Sequence, residues 1–400
     1  MTNPVTDKHI VLGVTGSIAA YKAADVASKL TQQGALVDVI LTDSACKFIS
    51  PLSFQSVTGR KAYVDADLWG GEGHVTHIGL GHAADLLVIV PASANTMAKL
   101  AHGIGDNLLS VTTLAAQCPL MIVPAMDAGM YDHVATQTNV NLLKQRGAIF
   151  LGPEEGHLAS GLVGLGRMSE PAKVISAIRW VFGRNGTLQG KKVVVSAGPT
   201  RETLDPVRFL SNHSTGLQGY AVAQAALDAG ADVTLISGPV HLTAPYGLRL
   251  LPVTTAAEMT DAVLAESRDA YALIMTAAVA DFRPTAVSAQ KIKKGAASLS
   301  LELEATTDIL KAVASQKATT GYPQKLVGFA AESQDLLENA AAKLQAKHLD
   351  LIVANDITAP GAGFGVETNQ VTLLFADGRQ QALPLQDKSI VAKTIIKALC

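Results

Sequence analysis

Twice along its 400 residues this chain opens a run of alternating strand and helix signals. Residues 9–14 are apolar and β-prone, residues 19–33 carry a helical pattern closed by Gly34, and residues 36–41 are apolar again. A second start at Lys191 has a strand over 192–196, a turn at Ala197-Gly198-Pro199, a helix over 219–228 and a strand over 231–236. Such βαβ units restrict the fold severely, because parallel neighbours need a crossover and the crossover helix covers one face of the sheet. Short apolar runs at 86–90 and 120–123, each followed by a turn rich in Pro, Ser, Asn or Gly, extend the first series into one doubly wound parallel sheet. The order of elements repeats, but the residues do not. Four hundred residues also exceed what one core usually organises, so two domains are expected. The polar, glycine-rich Gly183-Arg184-Asn185-Gly186 has the character of a linker. The boundary is placed between Phe182 and Gly190, giving domains over 1–184 and 190–400.

Composition narrows the function classes. With 48% apolar and only 4% aromatic residues, the chain suits close-packed helices on sheets rather than disorder. A formal net charge of -2 gives no long-range attraction to nucleic acid or an acidic membrane, which leaves small anionic ligands. Cys46, Cys118 and Cys400 lack the spacing of a zinc site or a disulfide framework, as in a reducing compartment. The polar N-terminus runs straight into Ile10-Val11-Leu12, unlike a signal peptide, and no apolar run reaches membrane-spanning length. The expectation is a cytoplasmic protein without nucleic-acid or membrane partners.

The first strand hands over to its helix through Gly13-Val14-Thr15-Gly16-Ser17-Ile18-Ala19-Ala20-Tyr21-Lys22, where backbone N–H groups and the helix dipole favour a phosphate. The pattern is not GxGxxG, and Leu41-Thr42-Asp43-Ser44 offers no single clear ribose-binding acid, so a mononucleotide is favoured over a dinucleotide. Read alone, the segment can also be a tight turn without ligand, the less favoured of the two readings. Pro91-Ala92-Ser93-Ala94-Asn95-Thr96 follows another buried strand, although Asn95 and Thr96 can simply cap the next helix.

These two segments, with Gly105-Asp106-Asn107-Leu108-Leu109 and Pro124-Ala125-Met126-Asp127, occur in the order of the flavin-dependent cysteine decarboxylase family, which the chain resembles. That family includes phosphopantothenoylcysteine decarboxylase. The resemblance implies FMN held between the subunits of a trimer, with contacts at Gly16, Ser17, Thr42, Ser44, Ala92, Ser93, Asn95, Asp106 and Asn107. It also implies a catalytic His77, an imidazole suited to proton transfer near neutral pH; His74 and His82 match nothing. Losing a carboxylate as carbon dioxide needs an electron sink that no side chain supplies. Two positions depart from the family pattern: Asp127 stands for an asparagine, and Ser160, in Ala159-Ser160-Gly161, stands for the proton-donating cysteine of the flap. The flap continues as Gly164-Leu165-Gly166-Arg167-Met168.

The second half carries Ser196 to Glu202 and Asp205 to Gly216, dense in groups that bind phosphates and carboxylates, though also readable as a loop of Asx and Ser/Thr turns. Lys291-Ile292-Lys293-Lys294 suits a triphosphate, or is a plain solvated face. With 277–282, 328–332 and Ala354-Asn355-Asp356, these stretches resemble phosphopantothenate-cysteine ligase. The resemblance implies CTP-dependent activation of the carboxylate of 4'-phosphopantothenate, followed by attack of the cysteine amine. It gives Lys291 to the triphosphate and Asn212 to the acyl-cytidylate, with Arg208 as an anion-binding group. Asp281, Thr307, Asp308, Ile309, Leu310, Phe329, Lys343 and Lys347 fall on nucleotide positions, with Mg²⁺ bridging phosphates to a carboxylate such as Asp281.

The expected fold is therefore α/β with two Rossmann-like domains, an N-terminal flavodoxin-like flavoprotein domain and a C-terminal nucleotide-binding ligase domain. Trimeric decarboxylase units and dimeric ligase units would close into a homo-oligomer, a dodecamer in the fullest case. Two rival readings stay open: a nicotinamide-dependent oxidoreductase, and a flavin-binding regulatory protein that retains only ligase activity.

Overall fold

The computed structural model describes residues 3–69, 75–293, 300–332, 335–356, 361–363 and 365–400; His74 and Lys294 lie outside them. It divides into two compact units, Thr2–Val181 and Phe182–Cys400.

The first unit runs β1 (His9–Val14), α1 (Ala20–Gln32), β2 (Leu36–Leu41), α2 (Pro51–Thr58), β3 (Ala62–Val64), α3 (Thr76–Ala83), β4 (Leu86–Ala92), α4 (Ala94–His102) and α5 (Leu108–Ala115). It continues with β5 (Leu120–Pro124), α6 (Ala128–Asp132), α7 (Val134–Gln145), β6 (Ile149–Phe150), the hairpin β7 (Glu154–His157) and β8 (Val163–Arg167), and α8 (Pro171–Gly183). Six parallel strands lie in the order β3-β2-β1-β4-β5-β6, the doubly wound Rossmann order. Nearly every residue of the central strands is buried, as expected of a sheet covered on both faces. Val11, Leu87, Ile89 and Ile122 meet Met97, Leu108 and Leu109 in one apolar cluster.

The second unit repeats the plan with β9 (Lys192–Ala197), the pair β10 (Arg201–Thr203) and β11 (Phe209–Ser211), α9 (Leu217–Asp228), β12 (Asp232–Ser237), β13 (Arg249–Pro252), α10 (Ala256–Glu266) and β14 (Ala272–Met275). Then come β15 (Phe282–Pro284) paired with β16 (Leu303–Ala305), α11 (Ile309–Thr320), β17 (Lys325–Glu332), α12 (Leu336–Ala346) and β18 (Leu351–Asp356). The remainder is β19 (Thr368–Asn369), β20 (Val371–Phe375), β21 (Gln380–Ala382), β22 (Gln386–Asp387) and α13 (Lys388–Lys397). The sheet order is β13-β12-β9-β14-β17-β18-β20-β21, parallel through β18 and antiparallel beyond it.

The expected linker needs correction. A Cβ on Gly183 would lie 2.7 Å from the Leu227 carbonyl oxygen, and one on Gly186 would overlap the Ala229 backbone. Leu188 is fully buried and its N–H donates to the Ala229 carbonyl at 2.7 Å. These glycines serve a close backbone approach to the end of α9, so the segment is docked rather than a free spacer.

Candidate functional site

In the first unit the winding reverses between β1 and β4, and sheets of this type bind ligands beyond the carboxyl ends of their strands at that point. Thr15, buried just after β1, donates to the Pro91 carbonyl at 2.8 Å and accepts from the Ser93 N–H at 2.9 Å, fixing the two turns together. Ser17 Oγ accepts from the Ala19 N–H, and the buried Thr42 from that of Ala45, each at 3.2 Å. Ala92 is fully buried, and its carbonyl accepts from the Ala125 N–H at 3.0 Å. A Cβ on Gly16 would come 2.6 Å from that of the exposed Ser44, so glycine lets these turns meet. Ser93, not Asn95, caps α4 by accepting from the Thr96 N–H at 3.3 Å. Asn95 is left exposed, without a hydrogen-bond partner among the described residues. Asn107 caps α5 reciprocally with Ser110. Lys99 holds both oxygens of Asp106, at 2.9 and 2.8 Å, and this bond foremost keeps the carboxyl below its ordinary range. Asp106 and Asn107 thus already bond within the chain, while Ser17, Ser44 and Asn95 carry polar groups of the kind that suit an anionic mononucleotide such as FMN.

The hairpin β7–β8 lies flush on the turn after β5. Met126 N–H donates to the Gly166 carbonyl at 3.0 Å. A Cβ on Gly164 would come 2.7 Å from that of Ala128, and one on Gly166 would overlap the Met126 carbonyl oxygen. This seating puts Ser160 over Asp127: the hydroxyl donates to Oδ2 at 2.6 Å, while Oδ1 caps α6 by accepting from the Gly129 N–H at 3.0 Å. A cavity of about 400 Å³ opens beside them, lined by Tyr21, Lys22, Asp127, His157, Ser160 and Arg167 among others. Lys22, at 2.9 Å, and Arg167 share one oxygen of Glu170. The Lys22 bond foremost lowers the Glu170 pKa, against a smaller opposing effect of burial. Two cations to one carboxylate suit this wall to an anionic substrate. Neither cation stood out in the sequence, although each sits inside a motif that carries the resemblance. His77, near the start of α3, has a buried Nδ1 without a hydrogen-bond partner among the described residues, but it does not line this cavity. One chain thus brings Asp127 and Ser160 together without bringing His77 to them.

The second unit reverses between β9 and β14. Thr200, fully buried after β9, accepts from the Ala280 N–H at 2.9 Å, and the Asn212 amide donates to the Ala278 carbonyl at 2.9 Å. A cavity of about 120 Å³ here is lined by Ser214, Gly216, Phe329, Asn355 and Lys388, among others. A second, of about 400 Å³, is lined by Arg201, Asn212 and His213, and shares Ser214, Thr215 and Leu217 with the first. Asn355 is only 8% exposed, yet among the described residues its Oδ1 has no donor. Lys388 donates to the carbonyls of Gly363 at 2.9 Å and Val366 at 2.6 Å, and burial pushes its pKa down. Sequence reasoning missed both side chains; Asn355 stands in the Ala354-Asn355-Asp356 motif, and Lys388 has no local signal.

Arg208 bonds the Ile292 carbonyl and pairs with Asp205 at 3.3 Å. Asp205 accepts from the N–H groups of Val207 and Arg208 at 2.8 Å each and of Ile292 at 3.1 Å. Burial alone would raise its pKa; these donors outweigh that and hold it below the ordinary range. The arrangement brings 205–208 to the segment bearing Lys291, which is exposed and unpartnered among the described residues. Asp281 is exposed; its carbonyl accepts from the Thr306 N–H at 2.9 Å, which lays the exposed Thr307 and the half-buried Asp308 nearby. Asp308 caps α11 and pairs with Lys347 at 3.2 Å, so two expected nucleotide contacts engage each other. Lys343, exposed one turn earlier, accepts the Lys347 N–H on its carbonyl at 3.1 Å. The side chain of Ile309 is in the core and that of Leu310 packs against it, leaving only their backbone for a ligand. Among the described residues no three His, Cys, Asp or Glu side chains gather as a metal site, and no helix is long and apolar enough to cross a membrane.

Comparison with known proteins matches residues 2–183 to the flavoprotein family and 188–400 to the DNA/pantothenate metabolism flavoprotein C-terminal domain. The coenzyme A biosynthesis bifunctional protein CoaBC of Bacillus subtilis (strain 168) is 47% identical over 398 residues, 99% of this chain and 97% of that protein. The chain belongs to the CoaBC family. Its Escherichia coli (strain K12) member is 40% identical over 392 residues, 97% of this chain and 96% of that one. A crystal structure of the C-terminal domain of a CoaBC protein covers 53% of this chain and 95% of its own, at 40% identity and a TM-score of 0.45. CoaBC membership spans both units, so both sets of cavities belong to one bifunctional protein of coenzyme A biosynthesis.

Proposed function

We propose that the chain performs two consecutive reactions in the cytoplasm. The domain over 190–400 joins cysteine to 4'-phosphopantothenate through an acyl-cytidylate made from CTP. The domain over 1–184 then decarboxylates the product to 4'-phosphopantetheine with FMN. The observation that carries this reading is that each sheet has its own cavities near its reversal point, and each set holds the polar groups of one resemblance: Asp127 and Ser160 in the first, Asn212 and Phe329 in the second.

In the ligase domain, Lys291 and the pair Lys343 and Lys347 supply positive charge for the triphosphate, Phe329 offers a ring for the base, and the Oδ1 of Asn355, without a donor among the described residues, accepts one from the nucleotide. CTP activates a carboxylate that is otherwise inert, and Asn212 polarises the carbonyl of the resulting acyl-cytidylate for attack by the cysteine amine. Mg²⁺ would be held chiefly by the nucleotide phosphates, with the exposed Asp281 as a candidate protein carboxylate. In the decarboxylase domain Ser17, Ser44, Asn95 and nearby N–H groups hold FMN, which supplies the electron sink when bound. Lys22 and Arg167 receive the anionic substrate. That His77 lies away from the Asp127 cavity fits a site shared between subunits of a trimer, with dimeric ligase units completing a larger homo-oligomer.

The test is incubation of purified protein with phosphopantothenate, cysteine, CTP and Mg²⁺, followed by mass spectrometry, beside an Asn212→Ala control. Phosphopantetheine, pyrophosphate and CMP are expected from the native chain, and from the control no phosphopantothenoylcysteine, with the acyl-cytidylate accumulating. Absence of pyrophosphate would sink the ligase assignment; accumulation of phosphopantothenoylcysteine without carbon dioxide would sink the decarboxylase.

A further inference from the structure

The two positions at which this chain departs from the decarboxylase pattern are in contact, and the role inferred for them rests on the decarboxylase reading of the first domain. Ser160 donates to Asp127 Oδ2 at 2.6 Å, at the edge of a cavity whose other charged groups are Lys22 and Arg167, both tied to Glu170. A serine hydroxyl is too weak an acid to replace a thiol, whereas a carboxyl group carries and releases a proton readily. We infer that the Asp127–Ser160 pair carries the proton of the final step, with Asp127 as the acid and Ser160 as the hydroxyl that relays it.

The chemistry balances with one proton passing through Asp127. Oxidation removes a hydride from the carbon next to sulfur, and the thiol proton passes to solvent. The bond to the carboxylate then breaks, carbon dioxide leaves, and its electron pair remains in an enethiolate. Asp127, charged with a proton from solvent, gives it to the carbon that lost carbon dioxide. The hydride equivalent returns to the carbon bearing sulfur, and sulfur takes a proton from solvent. The sum is loss of one carbon dioxide and uptake of one proton, with no oxidant consumed. Lys22 and Arg167 offset the charge of a substrate carboxylate beside Asp127, which would otherwise repel it.

The experiment compares the flavin-loaded protein with Asp127→Asn, Ser160→Cys and the double variant, measuring carbon dioxide release, flavin reduction and phosphopantetheine separately. Asp127→Asn should still reduce flavin and release carbon dioxide within about 10-fold of native, but form phosphopantetheine about 10²–10⁴-fold more slowly, the usual contribution of a general acid. The oxidised, decarboxylated enethiol should accumulate. Adding Ser160→Cys to that variant restores an asparagine and a thiol, and should recover most of the lost rate. In flavin-free protein, the ¹³C carboxyl resonance missing from Asp127→Asn should move when Ser160 becomes Ala, which reports the contact without any turnover. An Asp127→Asn variant that completes the reduction at the native rate, a double variant no faster than Asp127→Asn, or a resonance indifferent to Ser160 would each overturn the inference. A native protein that releases no carbon dioxide would overturn the decarboxylase reading itself.

Discussion

Gly166→Ala tests whether the β7–β8 hairpin is seated as described. The new methyl would overlap the Met126 carbonyl oxygen and lie 3.2 Å from both Ala128 N and the Asp127 carbonyl carbon, all backbone atoms that cannot swing aside. The hairpin must lift, which breaks the 3.0 Å bond from Met126 N–H to the Gly166 carbonyl. Overpacking costs about 1–3 kcal/mol and a lost hydrogen bond about 1 kcal/mol, together about 2–4 kcal/mol. At 1.4 kcal/mol per factor of ten, the seated population falls about 30- to 1,000-fold. Hydrogen exchange read by mass spectrometry or NMR should show the Met126 amide exchanging faster by that factor, while Val88 and Ile122 in the central strands keep their protection. Gly161→Ala is the control: its φ of +84° makes alanine strained, but nothing lies within 4 Å of the added carbon, so only about 1 kcal/mol is at stake. Unchanged protection at Met126 in Gly166→Ala, or equal loss in both variants, would refute the packing argument.

Arg60→Met should strand the carboxylate of Asp38, 2% exposed and bonded by Arg60 at 2.7 and 3.0 Å, with His9 Nδ1 3.5 Å away as the remaining partner. The expected cost is about 2–4 kcal/mol, a fall of roughly 5–10 °C in the calorimetric midpoint of the first unit, and an unchanged midpoint would show that Asp38 is not committed to Arg60. Glu170 has its folded pKa lowered, so it adds stability above its unfolded pKa that is lost as pH falls through the folded value; Glu170→Gln should flatten the acid limb of the first unit's unfolding curve and leave pH 7 to 8 unaltered in slope. Asn355→Ala should raise the KM for CTP about 10-fold or more with phosphopantothenate KM unmoved, whereas a fall in kcat alone would place Asn355 outside the nucleotide pocket.

The fold was legible because its signal is periodic. The strands at 9–14, 36–41, 86–92 and 120–124 are buried runs flanked by turn residues, and burial on both faces requires just such runs. What composition misread was the meaning of glycine. Gly183 and Gly186 look like a spacer because flexibility and close approach call for the same residue, and only the backbone of Ala229 tells them apart. Caps were ambiguous for a similar reason: Ser93, Asn95 and Thr96 all have cap chemistry, and the backbone of Ser93, extended at ψ 156°, decides which one accepts the Thr96 N–H.

The sites were legible where a motif is continuous and obscure where tertiary contact assembles them. Asp127 and Ser160 are 33 residues apart, and each departure taken singly reads as a loss, an amide exchanged for a charge and a thiol for a weak acid. Placed in contact they compensate, since the carboxyl brings the acidity that serine lacks and the hydroxyl donates to the oxygen that stands where an amide donor would be. The contact exists because Gly164 and Gly166 bring the hairpin down on the turn holding Asp127, so the Gly-x-Gly spacing is the visible trace of a pairing that neither Asp127 nor Ser160 reveals alone. In the ligase domain Asp205 plays the matching part: buried and bonded to the backbone on both sides, it brings Arg208 to the strip carrying Lys291, across a gap in sequence that no local pattern spans.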